Sequence, residues 1–457
     1  MPGFGGTRPP RGSEQIPEAI AGTARKFPEI ARQAAQAETQ YVWPGESGPV
    51  TELESLLVHA RDYFKPSTEA IEPTREVKDR ILYEMEKQYT LCVWRLPDDF
   101  LSYEAFTKAV RGLDLSSSPG IPYMREAQTN GAWLKWNGIE ACEIQMRRLW
   151  HDVQLVLEDR WDMHLRVFIK QEPHKVKKAE ERRWRLIMAV PLCVQVAWQM
   201  LFRFMNDLEI EQAYNIPSQQ GAIFVAGGWR SYTDSWRARG LTYGLDKKGW
   251  DWTFPFWIMQ LERVFRLRMG RGDRIGEWDR LSEVLYRHMF EDPKLVLSDG
   301  TIFKQVIPGI MKSGCVNTIS TNSHGQAIGH CAVCLDVGID LHPFPRSCGD
   351  DTLQHEKHTY HLDVYKRYGI QIKSVSDTLE FMGHDFPEEG PRPLYWMKHL
   401  KRVRSVREED LAQYLDSMAR MYCHTDKYVV WEELANQLGY NLPLSREAYK
   451  YWYDIGE

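Results

Sequence analysis

The sequence predicts an α+β fold, in which long helices accompany short strands joined by tight turns. Helical patterning covers residues 51–63 and 71–89, and apolar residues at helical spacing return from 256 to 269. Strands are indicated where alternating apolar residues flank a turn dipeptide, as at Asp299-Gly300. No internal repeat or low-complexity array is present, which favours a non-repetitive domain architecture.

Length and composition predict a soluble globular protein. The 457 residues are enough for about three domains and a large core. Hydrophobic residues make up 43% and charged residues 26%, and the 17 Trp and 21 Tyr are expected in the core, with base stacking as the alternative. The eight cysteines are scattered and follow no signal peptide, which favours a reduced, intracellular protein. The net charge of −5 gives little information about binding partners, because the local charge of a surface decides whether it binds a polyanion.

The longest apolar run, residues 186–202, is too short and too interrupted for a membrane span, so no transmembrane segment is expected. We predict a strand that leads into a buried helix near Pro191. Residues 1–50 are rich in Gly, Pro, Ala and Gln. We expect them to form a tether, mobile or lying on the surface, with one short helix at 20–37.

A rigid turn cluster spans residues 116–123, where prolines and Gly120 leave backbone amides and hydroxyls able to cradle phosphates. A plain surface loop is the alternative. The most basic stretch follows at residues 166–185, with eight Lys/Arg against three Glu. It lies between apolar strands at 167–169 and 186–190, so we predict a basic hairpin suited to a triphosphate; a solvated basic face is the alternative.

Two further segments place polar side chains beside predicted core elements. An apolar strand from Leu241 ends in Asp246, where the chain leaves the core, and Asp251 follows near a helix start, where helix capping is the alternative role. Thr318 and Asn322 stand four residues apart on one face of a helix predicted to run to about residue 336. A ribose hydroxyl is one partner such buried polar groups could take.

The adjacent aspartates of Gly349-Asp350-Asp351 form the strongest local concentration of negative charge. Adjacent carboxylates repel, so a confined pair needs a cation or hydrogen bonds. Gly349 can adopt a positive φ, which predicts a hairpin tip; an ordinary surface turn is the alternative. Pro343 and Pro345 precede it, so the incoming strand should be short or at a sheet edge.

The remaining motifs predict other structure or exclude other chemistry. His355, His358 and His361 lack the four-residue spacing of a zincin, and Cys331 and Cys334 are a lone pair in an apolar helix, so we expect neither to bind metal. No Walker A loop is present. Gly369 ends a predicted helix before a strand that carries Lys373. A second basic cluster lies at residues 398–407, and helices are predicted from 408 to 453.

In chain order these features resemble the viral RNA-dependent RNA polymerases. The closer likeness is to the sobemovirus and polerovirus type, in Phe168-Ile-Lys-Gln-Glu-Pro-His-Lys, Gly249-Trp-Asp-Trp and Lys312-Ser-Gly-Cys-Val-Asn-Thr. The resemblance covers roughly residues 115–405. Each motif alone is weak, whereas their conjunction is highly specific.

The resemblance implies a right-hand fold with fingers, palm and thumb. The expected boundaries are a tether at 1–50, fingers at 51–240 with the template loop 116–123 and basic hairpin 166–190, palm at 241–270 and 306–388, an insertion at 271–305, and thumb at 389–457.

The resemblance also implies roles for individual residues. Asp246 and Asp350, assisted by Asp351, would bind two Mg²⁺ ions about 4 Å apart, with Mn²⁺ as a substitute. One ion would activate the primer 3′-hydroxyl and the other would stabilise the leaving pyrophosphate, with Lys373 as general acid. The remaining assignments are Asp251 and Asn322, supported by Ser313 and Thr318, for the ribose 2′-hydroxyl; Lys170, Arg183 and Arg185 for the triphosphate; Ser118, Gly120 and Pro122 for the template; and Lys175, Lys177, Lys401 and Arg404 for RNA.

The function implied is replication of a positive-strand RNA virus genome. Its partners would be an RNA template and primer, ribonucleoside triphosphates and a viral genome-linked primer protein, in a replication complex in the cytoplasm of the infected host cell. The alternatives are a reverse transcriptase, a catalytically idle polymerase-like RNA-binding protein and a two-metal nuclease. Asn322 with Asp251 argues against the first, the complete set of metal aspartates against the second, and the separate triphosphate site against the third.

Overall fold

The computed structural model describes residues 1–455. Its α-helices, in chain order, are α1 (Ile16–Lys26), α2 (Pro28–Gln40), α3 (Pro49–Glu69), α4 (Arg75–Gln88), α5 (Tyr103–Arg111), α6 (Asn130–Leu134), α7 (Glu143–Leu157), α8 (Val176–Glu180), α9 (Leu192–Glu211), α10 (Gly228–Ala238), α11 (Trp250–Thr253), α12 (Phe256–Met269), α13 (Ile275–Tyr286), α14 (Thr318–Val337), α15 (Leu362–Arg367), α16 (Trp396–Val403), α17 (Leu411–Tyr422), α18 (Tyr428–Gln437) and α19 (Arg446–Asp454).

The strands are short. They are β1 (Tyr41–Val42), β2 (Trp94–Arg95), β3 (His164–Ile169), β4 (His174–Lys175), β5 (Leu186–Ala189), β6 (Leu241–Lys247), β7 (Gly270–Arg271), β8 (Lys294–Val296), β9 (Ile302–Lys304), β10 (Arg346–Cys348), β11 (Asp351–His355), β12 (Ile372–Ser376), β13 (Glu380–Phe381), β14 (His384–Asp385) and β15 (Arg392–Pro393). Long helices with short strand pairs confirm the predicted α+β class.

The predicted palm is built on a four-stranded antiparallel sheet with the order β10-β11-β6-β12. Strand β10 has three residues and lies at the edge, as the two prolines before it predict. Its outer side is still partnered, because Ser347 donates its N–H to the Pro217 carbonyl and accepts from the Gln219 N–H. Helix α14 packs against β10 and against α12 and α4.

The predicted basic hairpin is also present, as strands β3 and β5 with the basic residues between them. Phe168 lies opposite Ile187, and β8 and β9 extend the sheet on the far side of β3. Helix α9 begins directly after Pro191, which confirms the predicted change from strand to buried helix. The tryptophans confirm the expectation of a core role, since fully buried ones include Trp94, Trp133, Trp198, Trp236, Trp250, Trp278 and Trp431.

The structure corrects the expectation for residues 1–50. Instead of a tether with one helix, it contains two packed helices, which separate at Phe27 because a residue before proline disfavours helical backbone. Ile16 and Ile30 are 0% and 1% exposed, and α1 packs on α18 while α2 packs on α16. Ahead of them, the Phe4 N–H donates to the Ser298 carbonyl. The segment therefore extends from Ser298, between β8 and β9, to the C-terminal helices. Its two helices pack because their apolar residues share one face of each helix.

The C-terminal region is helical, as predicted, through α17, α18 and α19. Its core joins Leu411, Leu415 and Trp431 to Ile16 of the N-terminal segment. Among residues 1–455, no helix combines the length and the apolar character needed to cross a membrane.

Candidate active site

Three aspartates meet where β6 approaches the β10–β11 turn. Leu353 of β11 lies opposite Gly244 of β6, so the antiparallel register brings Asp351, two residues earlier, level with Asp246, two residues later. Gly349 has φ +64°, a conformation that favours glycine, and it closes the hairpin that presents Asp350. The resemblance to the viral polymerases implied this convergence.

Helix α14 holds the hairpin tip from behind. The Gly349 N–H donates to Ser323 Oγ at 2.9 Å, and Gln326 Nε2 donates to the carbonyls of Gly349 and Asp350 at 3.3 and 3.1 Å. These bonds satisfy backbone groups that a tight turn leaves free. The aspartate pair is thus carried on a fixed turn rather than on a loose loop.

Burial and the charge of Asp350 raise the pKa values of two neighbouring carboxyl groups. Desolvation by the surrounding protein and the charge of Asp350 raise the pKa of Asp351 to about 6, although its side chain remains exposed to solvent. Burial raises the pKa of Asp251 to about 6, and Asp350 adds to that rise while a hydrogen bond from Asn322 opposes it. Asp350 therefore acts on both neighbours, which places three carboxyl groups in one electrostatic unit.

The two predicted ribose-reading residues are in direct contact. Asn322 Nδ2 donates to Asp251 Oδ1 at 2.7 Å, and the amide is 3% exposed. Asn322 Oδ1 is buried and has no hydrogen-bond partner. A buried acceptor without a partner suits a ligand hydroxyl that could donate to it.

Ser313 and Thr318 are bonded within the protein. Ser313 Oγ accepts from the Met188 N–H and donates to the Leu186 carbonyl, which attaches the 313–318 loop to β5. Thr318 Oγ1 donates to the carbonyls of Lys312 and Cys315. Both hydroxyls shape the loop that leads into α14, which is compatible with the supporting role predicted for them.

Lys373 forms an ion pair with Asp246. Its Nζ lies 2.5 Å from Asp246 Oδ2, at a point where β12 departs from regular pairing with β6. Both side chains are largely exposed, so the pair is in contact with solvent. A single lysine thus provides a positive partner for Asp246, at the position where the sequence predicts a metal ion.

The basic hairpin faces these carboxylates. The Lys170 N–H donates to the Arg185 carbonyl, so the two residues stand across the hairpin from each other. The charge of Arg185 opposes the rise that burial causes in the pKa of Asp251. Burial, followed by the charges of Arg185 and Lys373, lowers the pKa of Lys178. The hairpin and the aspartates are therefore within electrostatic reach, although they lie far apart in the chain.

Glu172 organises the base of this hairpin. It contacts Arg185 at 2.9 Å, Lys398 at 3.3 Å and Lys170 at 3.5 Å. Burial alone would raise its pKa, but the charges of Lys398, Arg185 and Lys170 lower it to about 2. Lys398 belongs to α16, so Glu172 also links the hairpin to the C-terminal region.

The other predicted phosphate and RNA contacts have different surroundings. Arg183 forms ion pairs with Asp62 of α3 and with Glu181, whereas Lys175 and Lys177 are exposed on the hairpin. Lys401 and Arg404 both pair with Glu38 of α2. Their charges are partnered by the N-terminal segment, and their RNA-binding role stays a prediction.

The 116–123 loop packs close to the strand end of the basic hairpin. Gly120 has φ +63°, and a side chain there would come within 2.7 Å of the Val190 carbonyl oxygen. The Leu192 N–H donates to the Pro119 carbonyl, and Ser118 Oγ accepts from the Gly120 N–H at 3.3 Å. Pro122 is exposed. The loop is thus attached to the chain just after β5, the second strand of the basic hairpin.

The donor set fits a divalent cation. Asp246, Asp251, Asp350 and Asp351 offer hard carboxylate oxygens from separate elements, which is the ligand chemistry of Mg²⁺ and Mn²⁺. Burial, and after it the charge of Asp350, raises the pKa values of Asp251 and Asp351, and a bound cation would favour the charged form of both carboxyl groups. Asp246 and the Asp350–Asp351 pair are the residues best placed to hold it.

Comparison with known proteins gives the family. The family model described as viral RNA-dependent RNA polymerase matches residues 57–323. The chain belongs to this family. It is 28% identical over 402 residues to protein P1-P2 of potato leafroll virus, which covers 79% of this chain and 36% of the relative. It is 29% identical over 363 residues to replicase polyprotein P2AB of southern bean mosaic virus, covering 75% and 35%.

The chain therefore spans about a third of the length of these curated relatives. A solved structure, a sicinivirus 3Dpol RNA-dependent RNA polymerase, superposes with a TM-score of 0.65 at 17% identity, over 84% of this chain and 85% of that one. This likeness confirms the predicted right-hand polymerase fold. Divalent metal ions are general in the viral polymerase family, in agreement with the carboxylate donor set.

Sequence reasoning missed the support behind the candidate site. His324 of α14 contacts Glu209 of α9 and, at 2.8 Å, Glu262 of α12, and Glu262 also pairs with Arg266 at 2.6 Å. All four side chains are 0% exposed. Burial opposes the charge on His324, but the Glu209 carboxylate raises its pKa. The polar residues of α14 around His324 were a signal for this network, whereas nothing local marked Asp62 or Glu38 as partners.

Proposed function

We propose that this chain synthesises RNA on an RNA template by transferring nucleotidyl groups from ribonucleoside triphosphates to an RNA 3′-hydroxyl. The observation that carries the proposal is the meeting of Asp246, Asp350 and Asp351 opposite the basic hairpin of Lys170 and Arg185. Nucleotidyl transfer needs negative ligands for metal and positive groups for the triphosphate in one place.

Asp246 and Asp350, with Asp351 assisting, would hold two Mg²⁺ ions, for which Mn²⁺ could substitute. When bound, these ions supply charge neutralisation at the attacking 3′-hydroxyl and at the leaving pyrophosphate. The protein binds and orients the triphosphate through Lys170 and Arg185, which Glu172 holds in place. Arg183, anchored to Asp62, adds positive charge to the same hairpin.

Lys373 is the proposed proton donor to the pyrophosphate. Its ammonium forms an ion pair with Asp246, one of the three aspartates of the site. Transfer of its proton to the leaving oxygen would reduce the charge that develops there. Ribose selection is assigned to Asp251 and Asn322, because the unpartnered Asn322 Oδ1 can accept a hydrogen bond from a 2′-hydroxyl. This pair favours RNA synthesis over reverse transcription.

The proposal extends to partners and location. The template would pass the 116–123 loop, and a primer, including a viral genome-linked protein, would supply the 3′-hydroxyl or its equivalent. The relative from southern bean mosaic virus is a replicase polyprotein, which supports a role in a replication complex in the cytoplasm of an infected host cell. The proposed domain ranges are fingers at 51–240, palm at 241–270 and 306–388, and thumb at 389–457.

A primer-extension assay with Asp350→Asn tests the proposal. The variant keeps the size of the side chain but removes its charge, and we expect synthesis to fall to background while RNA binding remains. Asp363→Asn is a matched control, because Asp363 is an exposed aspartate on α15. If the wild-type protein binds template-primer RNA but does not extend it with Mg²⁺ or Mn²⁺, the result would instead support the alternative of a catalytically idle polymerase-like RNA-binding protein.

A further inference from the structure

A second group of potential metal ligands lies in the interior, away from the aspartates. His330 and Cys334 are one helical turn apart on α14, and His358 follows the end of β11. They are 0%, 1% and 2% exposed. One ligand atom from each residue lies within 4.8 Å of the others.

Both imidazoles are oriented by the connection that leads into β10. His330 Nε2 lies 2.8 Å from the Leu341 carbonyl oxygen, and His358 Nε2 lies 2.8 Å from the Asp340 carbonyl oxygen. A carbonyl oxygen only accepts, so each ring carries its proton on Nε2 and leaves a lone pair on Nδ1. Metal-binding histidines are commonly held in this way, with the distal N–H donated to a backbone carbonyl.

The two free lone pairs cannot both be satisfied within the protein. His358 Nδ1 is buried without a hydrogen-bond partner, and His330 Nδ1 has only the Cys334 sulfur at 3.8 Å. A thiol has one weak S–H donor, which can serve one of the two rings.

We propose that His330 Nδ1, Cys334 Sγ and His358 Nδ1 bind one zinc ion. Imidazole and thiolate are the ligands that zinc prefers, at about 2.0–2.1 Å for nitrogen and about 2.3 Å for sulfur, so the three side chains would draw together on binding. Binding replaces the thiol proton, which leaves to solvent, by a zinc–sulfur bond. The fourth position is left for a water molecule or a backbone carbonyl.

The proposed ion joins three segments around the catalytic hairpin. It would tie α14, which holds the hairpin tip through Ser323, to the end of β11, while the histidines remain bonded to the 340–341 connection before β10. The role is structural and does not depend on the proposed RNA synthesis. It departs from the expectation from sequence that neither histidine group nor cysteine pair binds metal, because the fold brings His358 and Cys334 together with His330. His355 stays outside the cluster, where its Nδ1 accepts from the Lys357 N–H.

Metal analysis of the full chain, prepared without a histidine tag, tests this proposal. We expect the wild type to contain about one zinc ion per chain after dialysis, and Cys334→Ser and His358→Gln to lose it. Cys331→Ser is the matched control, since Cys331 is equally buried on the same helix but outside the cluster, and it should keep the metal. Circular dichroism spectra would report whether each variant folds.

Cobalt substitution of the wild type gives a result that needs no variant. Co²⁺ bound by Cys334 should produce a thiolate-to-cobalt charge-transfer band together with intense visible bands of tetrahedral coordination. The proposal is overturned if the dialysed wild type takes up neither Zn²⁺ nor Co²⁺. It is also overturned if cobalt binds without the thiolate band, or if Cys334→Ser binds zinc as the wild type does.

Discussion

Replacing Asn322 by alanine should weaken the preference for ribonucleotides over deoxyribonucleotides. The substitution removes the 2.7 Å bond to Asp251 and the buried Oδ1 that would accept a ribose 2′-hydroxyl. The bond from a 2′-hydroxyl to Asn322 Oδ1 joins two neutral groups, and a deoxyribonucleotide leaves that buried acceptor unsatisfied, which costs about 1–3 kcal/mol. Losing this discrimination corresponds to about a 5–150-fold fall in the ratio of kcat/KM for a ribonucleotide to kcat/KM for its deoxy analogue.

The same variant should change the pH profile. The Asn322 amide stabilises the charged form of Asp251, so its loss should raise the pKa of Asp251 above its present value of about 6. The acidic limb of kcat/KM would then move to higher pH. Single-nucleotide incorporation across a pH series measures both effects, with the exposed Asn215→Ala as control. A variant that folds, incorporates ribonucleotides and keeps the wild-type sugar ratio within about twofold would refute the reasoning, since the expected change is about fivefold or more.

Three further outcomes are expected. Because the pKa values of Asp251 and Asp351 are raised to about 6, these groups stabilise the fold fully below their unfolded pKa values near 4, and that contribution is lost as the pH rises through about 6. The melting temperature of the metal-free protein should therefore fall between pH 4 and pH 6, and Mg²⁺ should reverse the fall. A melting temperature that depends on neither pH nor Mg²⁺ would contradict this. His324→Ala leaves two buried glutamates short of a cation and should cost about 3–5 kcal/mol in urea unfolding, whereas a loss below about 1 kcal/mol would show that the network is not strongly coupled. Deleting residues 1–40 removes Ile16 and Ile30 from contact with the C-terminal helices and should lower the melting temperature in a thermal shift assay, unlike deletion of the first three residues.

Much of the site could be predicted from sequence patterns within short segments of the chain. A glycine before two aspartates specifies a turn at 349, and alternating or helical spacing of apolar residues specifies strand β6 and helix α12 close to their observed bounds. Proline spacing likewise predicts the short edge strand β10. Such preferences act over a few residues, so they can be recognised in the sequence without knowledge of the fold.

The partners of charged and buried polar groups were decided by tertiary structure alone. Lys401 and Arg404 meet Glu38, Arg183 meets Asp62, and Lys373 meets Asp246 across more than a hundred residues of sequence. The docking of α1 and α2 depends in the same way on an apolar surface that only the assembled C-terminal helices provide. A charge or an apolar face states that a partner is needed, but not which one. The sequence by itself determined the elements and the chemistry of the site; packing determined which side chains share it, because contact between distant segments depends on the whole fold.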